Sequence, residues 1–223
     1  MDRRYPGSMG TPVVDEPTDH RRAVVIAFGV FGVAGLAWGL RTDPGSGAFY
    51  ASTLALAVAW FVGGLLSGPV PLGWETHDGQ RRRPIVSAIS AGAALAAVFV
   101  VGALIVRRIP VLSHRVEGVL DFARHGSWPI VLLLTVANGV AEEVFFRGAV
   151  QPALPERIRL PGSVVIYVAV TFATGNVMLG FAAVLLGAVV SLQRKATDGV
   201  LAPVLTHVTW SVLMFVALPI VFR

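Results

Sequence analysis

The chain contains no cysteine among its 223 residues. This absence excludes a disulfide framework, a thiolate metal site and a cysteine nucleophile. Charged residues are also scarce: they make up 14% of the chain, whereas a soluble domain carries about 25%. A soluble core of this size would need more polar surface to cover it. The composition therefore predicts that lipid or other apolar helices surround most of the chain.

The cations that are present lie between long apolar runs. Hydrophobic residues make up 55% of the chain and the formal net charge is +5. Because the arginines flank apolar segments, they are typical of topology determinants at a membrane surface. We therefore expect contact with a lipid bilayer and no binding of nucleic acid.

Seven apolar stretches predict an all-α fold. They run at about 23–40, 48–66, 85–106, 128–146, 164–179, 181–192 and 201–222. The first four and the last reach the roughly 20 residues that a transmembrane helix needs. The fifth and sixth are shorter and meet at Gly180, as a broken or re-entrant pair or as two short helices inside the bundle. The prediction is a polytopic transmembrane helix bundle of about 6–8 helices.

Three regions follow from these stretches. Residues 1–20 are polar and contain several prolines and glycines, which predicts a disordered cytoplasmic tail. The next apolar run lacks a small-residue cleavage site, so we expect a signal anchor. Residues 21–127 form the N-terminal transmembrane helices with an amphipathic connector, and residues 128–223 form the core that holds the chemistry.

The placement of arginines predicts the orientation. With a cytoplasmic N-terminus, most loop cations face the cytoplasm, as the positive-inside rule requires. The exception is 107–125, whose amphipathic pattern predicts an interfacial helix on the outer side. We expect an integral, multi-pass protein of the plasma (inner) membrane.

The fourth stretch carries an ionisable cluster, Glu142, Glu143 and Arg147. Helical spacing places Glu143 and Arg147 on one face, where they can pair. Glu142 points about 100° away, with Asn138 one turn before it. An unpaired carboxylate in the membrane costs about 2.5–3.5 kcal/mol, so it must bind a partner or take up a proton. Beside water in an apolar cavity it is suited to act as a general base.

Two readings of this cluster compete. Charges near a helix end can snorkel to the interface with no further role. Two adjacent glutamates with an arginine one turn on favour a functional site. Downstream, His207 with Ser211 one turn on, and Asn176, are further polar residues in apolar stretches. A lone histidine can also serve as a hydrogen bond between helices.

These residues resemble the three motifs of the CPBP family, the type II CAAX prenyl proteases and bacteriocin-processing enzymes. The first motif, Glu-Glu-x-x-x-Arg, corresponds to Glu142, Glu143 and Arg147. The second, Phe-x-x-x-His, aligns with Phe172 and Asn176, so an asparagine replaces the family's histidine. The third begins at His207 and ends at Ser211 in place of an asparagine. The resemblance covers about 128–221.

The resemblance implies an intramembrane endopeptidase. In it, Glu142 activates water, Glu143 and Arg147 hold the helix geometry, and His207 with Ser211 polarises the carbonyl or holds the water. Asn176 takes the place of the second-motif histidine, and it can hold a water but cannot take up a proton.

The resemblance also bears on metals and on substrates. A zinc ion would have Glu142 and His207 as ligands, but catalytic zinc usually has three protein ligands, so no cofactor is assigned firmly. The expected substrate is a peptide or a membrane-anchored protein. Two alternatives stay open: a non-catalytic scaffold or immunity-type protein that keeps the fold, and a small proton-coupled transporter.

Overall fold

The computed structural model describes residues 18–39 and 41–223, and this part of the chain is built almost entirely of helices. Eight helices occur in it: α1 (Asp19–Gly39), α2 (Gly47–Leu66), α3 (Ile85–Val106), α4 (Pro110–His125), α5 (Trp128–Ala153), α6 (Arg159–Phe172), α7 (Val177–Thr197) and α8 (Leu201–Val221). A short antiparallel hairpin of β1 (Glu75–His77) and β2 (Gln80–Arg82) lies between α2 and α3. The prediction of an all-α helix bundle is confirmed. The predicted N-terminal tail falls mainly on residues 1–17, outside the described residues, and α1 begins at Asp19.

Six of these helices, namely α1, α2, α3, α5, α7 and α8, are long and apolar enough to cross a membrane. The chain is an integral, multi-pass membrane protein. Helix α6 has only 14 residues, which correspond to about 21 Å of helix. It is too short to meet the length of a full span by itself, and it lies against α7 and the end of α5.

The predicted boundary between the fifth and sixth apolar stretches is wrong. The chain turns at residues 173–176, where Gly175 has a φ of +73°, a conformation that glycine adopts without strain. Asn176 then caps α7, because its side-chain oxygen accepts a hydrogen bond from the N–H of Met178 at 2.9 Å. Gly180 lies within α7, and the ring of Phe172 occupies the space that a side chain at Gly180 would need.

The connections between helices collect at two separate ends of the bundle. At one end, the loop after α2 pairs with the start of α8, since Leu201 N–H donates to Leu72 O at 3.0 Å and Trp74 N–H donates to Thr197 O at 2.8 Å. At the other end, the amide of Asn176 donates to Arg115 O in α4 at 2.8 Å. The turn before α7 and the connection after it therefore lie at opposite ends of the bundle. Which end faces the cytoplasm stays a prediction.

The last helix is held against α3 by close backbone contact. Thr206 donates its hydroxyl to Ala88 O at 2.9 Å. A Cβ at Gly92 would lie 2.6 Å from Thr206 O, so only glycine permits this approach. The contact places His207, the next residue, in the interior of the bundle, where it is 5% exposed.

Candidate active site

A buried hydrogen-bonded chain joins three residues of the predicted site. Glu143 and Arg147 are both 0% exposed. The oxygen Oε1 of Glu143 lies 3.1 Å from Nη1 of Arg147 and 2.7 Å from Nδ1 of His207. The ion pair predicted from the i, i+4 spacing is therefore present, and it reaches a third group on α8.

Arg147 has further partners that hold its guanidinium in place. Its Nη2 donates to Gly187 O in α7 at 3.2 Å. The absence of a side chain at Gly187 makes this reach feasible, because a Cβ there would lie 3.3 Å from Nη2. The guanidinium also lies 4.5 Å from the ring centroid of Tyr167, a cation–π contact. One arginine thus ties α5 to both α6 and α7.

The backbone around Arg147 departs from the α-helix. Residues Phe146–Val150 form a π-helical turn, in which Gln151 N–H donates to Phe146 O. Such turns insert an extra residue and often mark functional sites. The carbonyl of Arg147 accepts a hydrogen bond from Nε of Arg194 at 3.0 Å. The turn is therefore supported from α7 as well as from within α5.

Glu142 faces a different direction from Glu143, as the helical spacing predicts. Its Oε2 accepts a hydrogen bond from the hydroxyl of Tyr167 at 2.7 Å. It also lines a cavity of about 320 Å³, to which His207 contributes as well. The two residues expected to carry the chemistry thus line one cavity, and the tandem acids do not project outward from the bundle.

The cavity combines an apolar wall with several polar groups. Asn138 lines the cavity one turn before Glu142. Its amide nitrogen donates to Leu134 O at 2.9 Å and to Thr53 O at 3.4 Å. The other polar side chains that line it are Ser52, Thr53, Thr135, Tyr167, Thr171 and Thr174. The cavity has room and hydrogen-bonding groups for water and for a peptide backbone.

The structure does not bring Asn176 or Ser211 to this cavity wall. Asn176 lies in the turn before α7, and both ends of its amide are bonded to backbone atoms. The reason is local: the chain leaves α6 at Phe172, so position 176 falls beyond the helix. Ser211 is buried one turn after His207 and is not among the residues that line the cavity.

Sequence reasoning missed Tyr167. The signal was present, because a tyrosine in an apolar helix needs a partner for its hydroxyl. Tyr167 also precedes Thr171 by one turn, and both line the cavity. Tyr167 and Thr171 line the cavity from within α6, whereas Phe172 ends that helix and Asn176 lies beyond it.

The donor set does not fit a catalytic zinc ion. Within residues 18–39 and 41–223, no three histidine, cysteine, aspartate or glutamate side chains converge in a way that could hold a metal. Glu142 and His207 are the two predicted ligands, and Glu143 is already bonded to Arg147 and His207. Because a catalytic zinc usually takes three protein ligands, Glu142 and His207 alone do not make up such a site.

Comparison with known proteins agrees with the motifs. The family model described as Type II CAAX prenyl endopeptidase Rce1-like matches residues 124–213, which is less than half of the 223 residues. No curated protein and no solved structure matches the chain. The matched segment includes Glu142, Glu143, Arg147, Tyr167 and His207. Over residues 124–213, where the buried site lies, the chain is thus similar to the Type II CAAX prenyl endopeptidase Rce1-like family, which is consistent with the resemblance to the CPBP motifs.

Proposed function

We propose that this protein is an intramembrane endopeptidase in which Glu142 activates a water molecule for attack on a peptide bond. The observation that carries the proposal is the shared cavity of about 320 Å³, lined by both Glu142 and His207. A carboxylate and an imidazole that face one polar cavity inside an apolar bundle are suited to acid–base chemistry.

Glu142 is the general base in this scheme. Tyr167 occupies its Oε2, so Oε1 is left to take a proton from water. The resulting hydroxide forms a bond to the carbonyl carbon of the scissile peptide. When the carbon–nitrogen bond breaks, the proton on Glu142 passes to the leaving amine. Glu142 returns to its starting state, and one water is consumed for each bond cleaved.

His207 is the partner for the carbonyl oxygen. Its Nδ1 faces Glu143, so that nitrogen carries the proton and Nε2 is the one directed away from the carboxylate. Together, the charged side chains of Glu142, Glu143 and Arg147 carry one net negative charge. An imidazolium at His207 balances this charge. Nε2–H can then donate to the developing oxyanion, an interaction that strengthens as charge develops.

Glu143, Arg147 and Tyr167 are positioning residues. Glu143 orients the imidazole, and Arg147 balances the charge of Glu143 at 3.1 Å. Removing one member of such a buried pair costs about 3–5 kcal/mol. We assign no chemical step to Asn176 or Ser211, since neither lines the cavity.

The proposed substrate is a peptide or a protein anchored in the membrane, reached from the lipid or from the headgroup layer. The matching family model is described as that of a prenyl endopeptidase, which suggests a lipid-modified C-terminus as one form of such a substrate. The proposed location is the plasma (inner) membrane with a cytoplasmic N-terminus.

A non-catalytic scaffold is the second candidate. The observation in its favour is that Asn176, aligned with the family's motif histidine, is bound to backbone atoms outside the cavity. A chain that has lost one motif residue and kept the helix packing would bind a partner without cleaving it.

The test is cleavage by the purified protein in vesicles, measured by mass spectrometry against a library of membrane-anchored peptides with and without a C-terminal prenyl group. Glu142→Gln keeps the shape of the side chain and removes the base, so we expect a rate loss of about 100- to 10,000-fold. Glu117→Gln is the matched control, because Glu117 lies on α4, outside the cavity, and accepts a hydrogen bond from Ser113.

The outcomes separate the two candidates. Loss of cleavage in Glu142→Gln with full activity in Glu117→Gln supports the peptidase. Cleavage by Glu142→Gln at the parent rate refutes the role of Glu142. A folded parent protein that cleaves no peptide of the library favours the scaffold.

A further inference from the structure

A second cavity lies at the end of the bundle where α5 ends and α6 begins. It has a volume of about 260 Å³ and differs from the first in being lined mainly by charged and polar side chains. Arg159, Arg194 and Lys195 contribute cations to it, and Glu156 and Asp198 contribute carboxylates. We call this cavity the basic pocket.

Cations outnumber the carboxylates at the basic pocket. Asp198 is bonded to Arg194 at 3.0 Å, but its side chain is 97% exposed, so solvent screens that pair. Three cations and two carboxylates leave an excess of one positive charge.

Several donors at the basic pocket are available to a ligand. Arg159 donates from Nε to Leu154 O at 3.3 Å, and within the described residues neither its Nη atoms nor the Lys195 ammonium makes a hydrogen bond. Cationic donors of this kind suit a ligand that carries a phosphate.

The location of the pocket indicates where such a ligand comes from. Gln151 and Arg194 line the pocket, belong to two membrane-spanning helices and lie near the ends of those helices. This is the depth of lipid headgroups, and basic pockets between transmembrane helices bind anionic headgroups. We propose that the basic pocket binds the phosphate of an anionic phospholipid headgroup through Arg159, Arg194 and Lys195.

The test is a titration of the full chain in neutral detergent, with binding followed by native mass spectrometry. The probes are phosphatidylglycerol, phosphatidylcholine and inorganic phosphate, each at the same concentrations. Arg159→Gln combined with Lys195→Gln removes two cations that have few structural partners. Arg194 is left unchanged because it also supports the carbonyl of Arg147.

We expect phosphatidylglycerol to bind more tightly than phosphatidylcholine. Each removed cation should weaken this binding about fivefold, and the pair about 25-fold. The control pair, Arg81→Gln with Arg82→Gln, removes the same charge from the exposed end of the hairpin and should change affinity less than about twofold, as surface charges do. Lys195→Gln alone, at an exposed position, serves if the double variant fails to fold.

Three results would overturn the proposal. Equal binding of the two lipids would remove the requirement for an anionic headgroup. An equal loss in the control pair would show diffuse attraction to the surface. Inorganic phosphate bound as tightly as phosphatidylglycerol would assign the pocket to free phosphate, and the lipid would be excluded.

Discussion

Glu143 shows how a charge is accommodated inside an apolar bundle. Its oxygen Oε1 receives hydrogen bonds from both Arg147 and His207, so the burial of one carboxylate is offset by two donors. A buried ion is costly unless such partners compensate it. The same contacts fix the orientation of His207, which is the property the proposed chemistry needs.

Tyr167 provides the sharpest test of a single residue. Tyr167→Phe removes the hydroxyl that donates to Glu142 and keeps the ring. The centroid of this ring lies 4.9 Å from that of Phe146 and 4.5 Å from the guanidinium carbon of Arg147. A hydrogen bond to a charged group contributes about 1.5–3 kcal/mol, so we expect kcat to fall about 10- to 150-fold. Because the hydroxyl orients Glu142, KM should change little.

Tyr50→Phe is the matched control for that variant. The hydroxyl of Tyr50 accepts a hydrogen bond from Ser127 N–H at 2.8 Å, and the residue does not line the cavity. Its kcat should equal that of the parent. A Tyr167→Phe enzyme with unchanged kcat would show that Glu142 does not depend on this hydroxyl.

Among the helices, glycine contacts decide how closely neighbours approach. Gly64 in α2 faces the backbone of Val144 in α5, and a Cβ there would lie 2.8 Å from Val144 O. Gly92 in α3 has the same relation to Thr206 in α8. These contacts set the position of the two helices that carry Glu142 and His207.

Gly92→Ala should therefore disturb both stability and activity. The added methyl group would meet Thr206 O at 2.6 Å, and overpacking of this kind costs about 1–3 kcal/mol. Since Thr206 precedes His207, the displacement should also lower the cleavage rate. Thermal unfolding in detergent and a cleavage assay measure the two effects.

Gly102→Ala is the matched control. Gly102 lies in the same helix, and no atom lies within 4 Å of the methyl group that the substitution adds. It should be neutral or slightly stabilising, because alanine is the better helix former. Equal destabilisation by the two variants would mean that helix propensity, and not the contact with α8, accounts for the effect.

At the scale of the whole molecule, the two groups of loops determine topology. The positive-inside rule predicts that the hairpin end is cytoplasmic and that α4 is outside. The chain has no cysteine, so single cysteines at the exposed positions His77 and His114 can be labelled without background. A membrane-impermeant maleimide should label His114→Cys in intact cells and His77→Cys only after the membrane is opened. The reverse pattern would place the N-terminus outside.

Much of the bundle was predictable from sequence, because lipid imposes simple demands. A spanning helix needs a long apolar run, and five runs of that length became α1, α2, α3, α5 and α8. The pair of Glu143 and Arg147 followed from helical spacing alone. The break near residue 175 could not be predicted from the sequence, because Gly175 and Gly180 are equally good candidates for it. Only the packing of Phe172 against Gly180 distinguishes them.

By itself, the sequence determined the membrane class, the approximate spans and the local geometry of the tandem glutamates, since each depends on residues close along the chain. Only the tertiary structure decided that His207 meets Glu143 and that Tyr167 meets Glu142. It also decided that Asn176 caps a helix instead of lining the cavity. These are contacts between different helices or at their ends, and they depend on how closely the glycines allow the helices to approach.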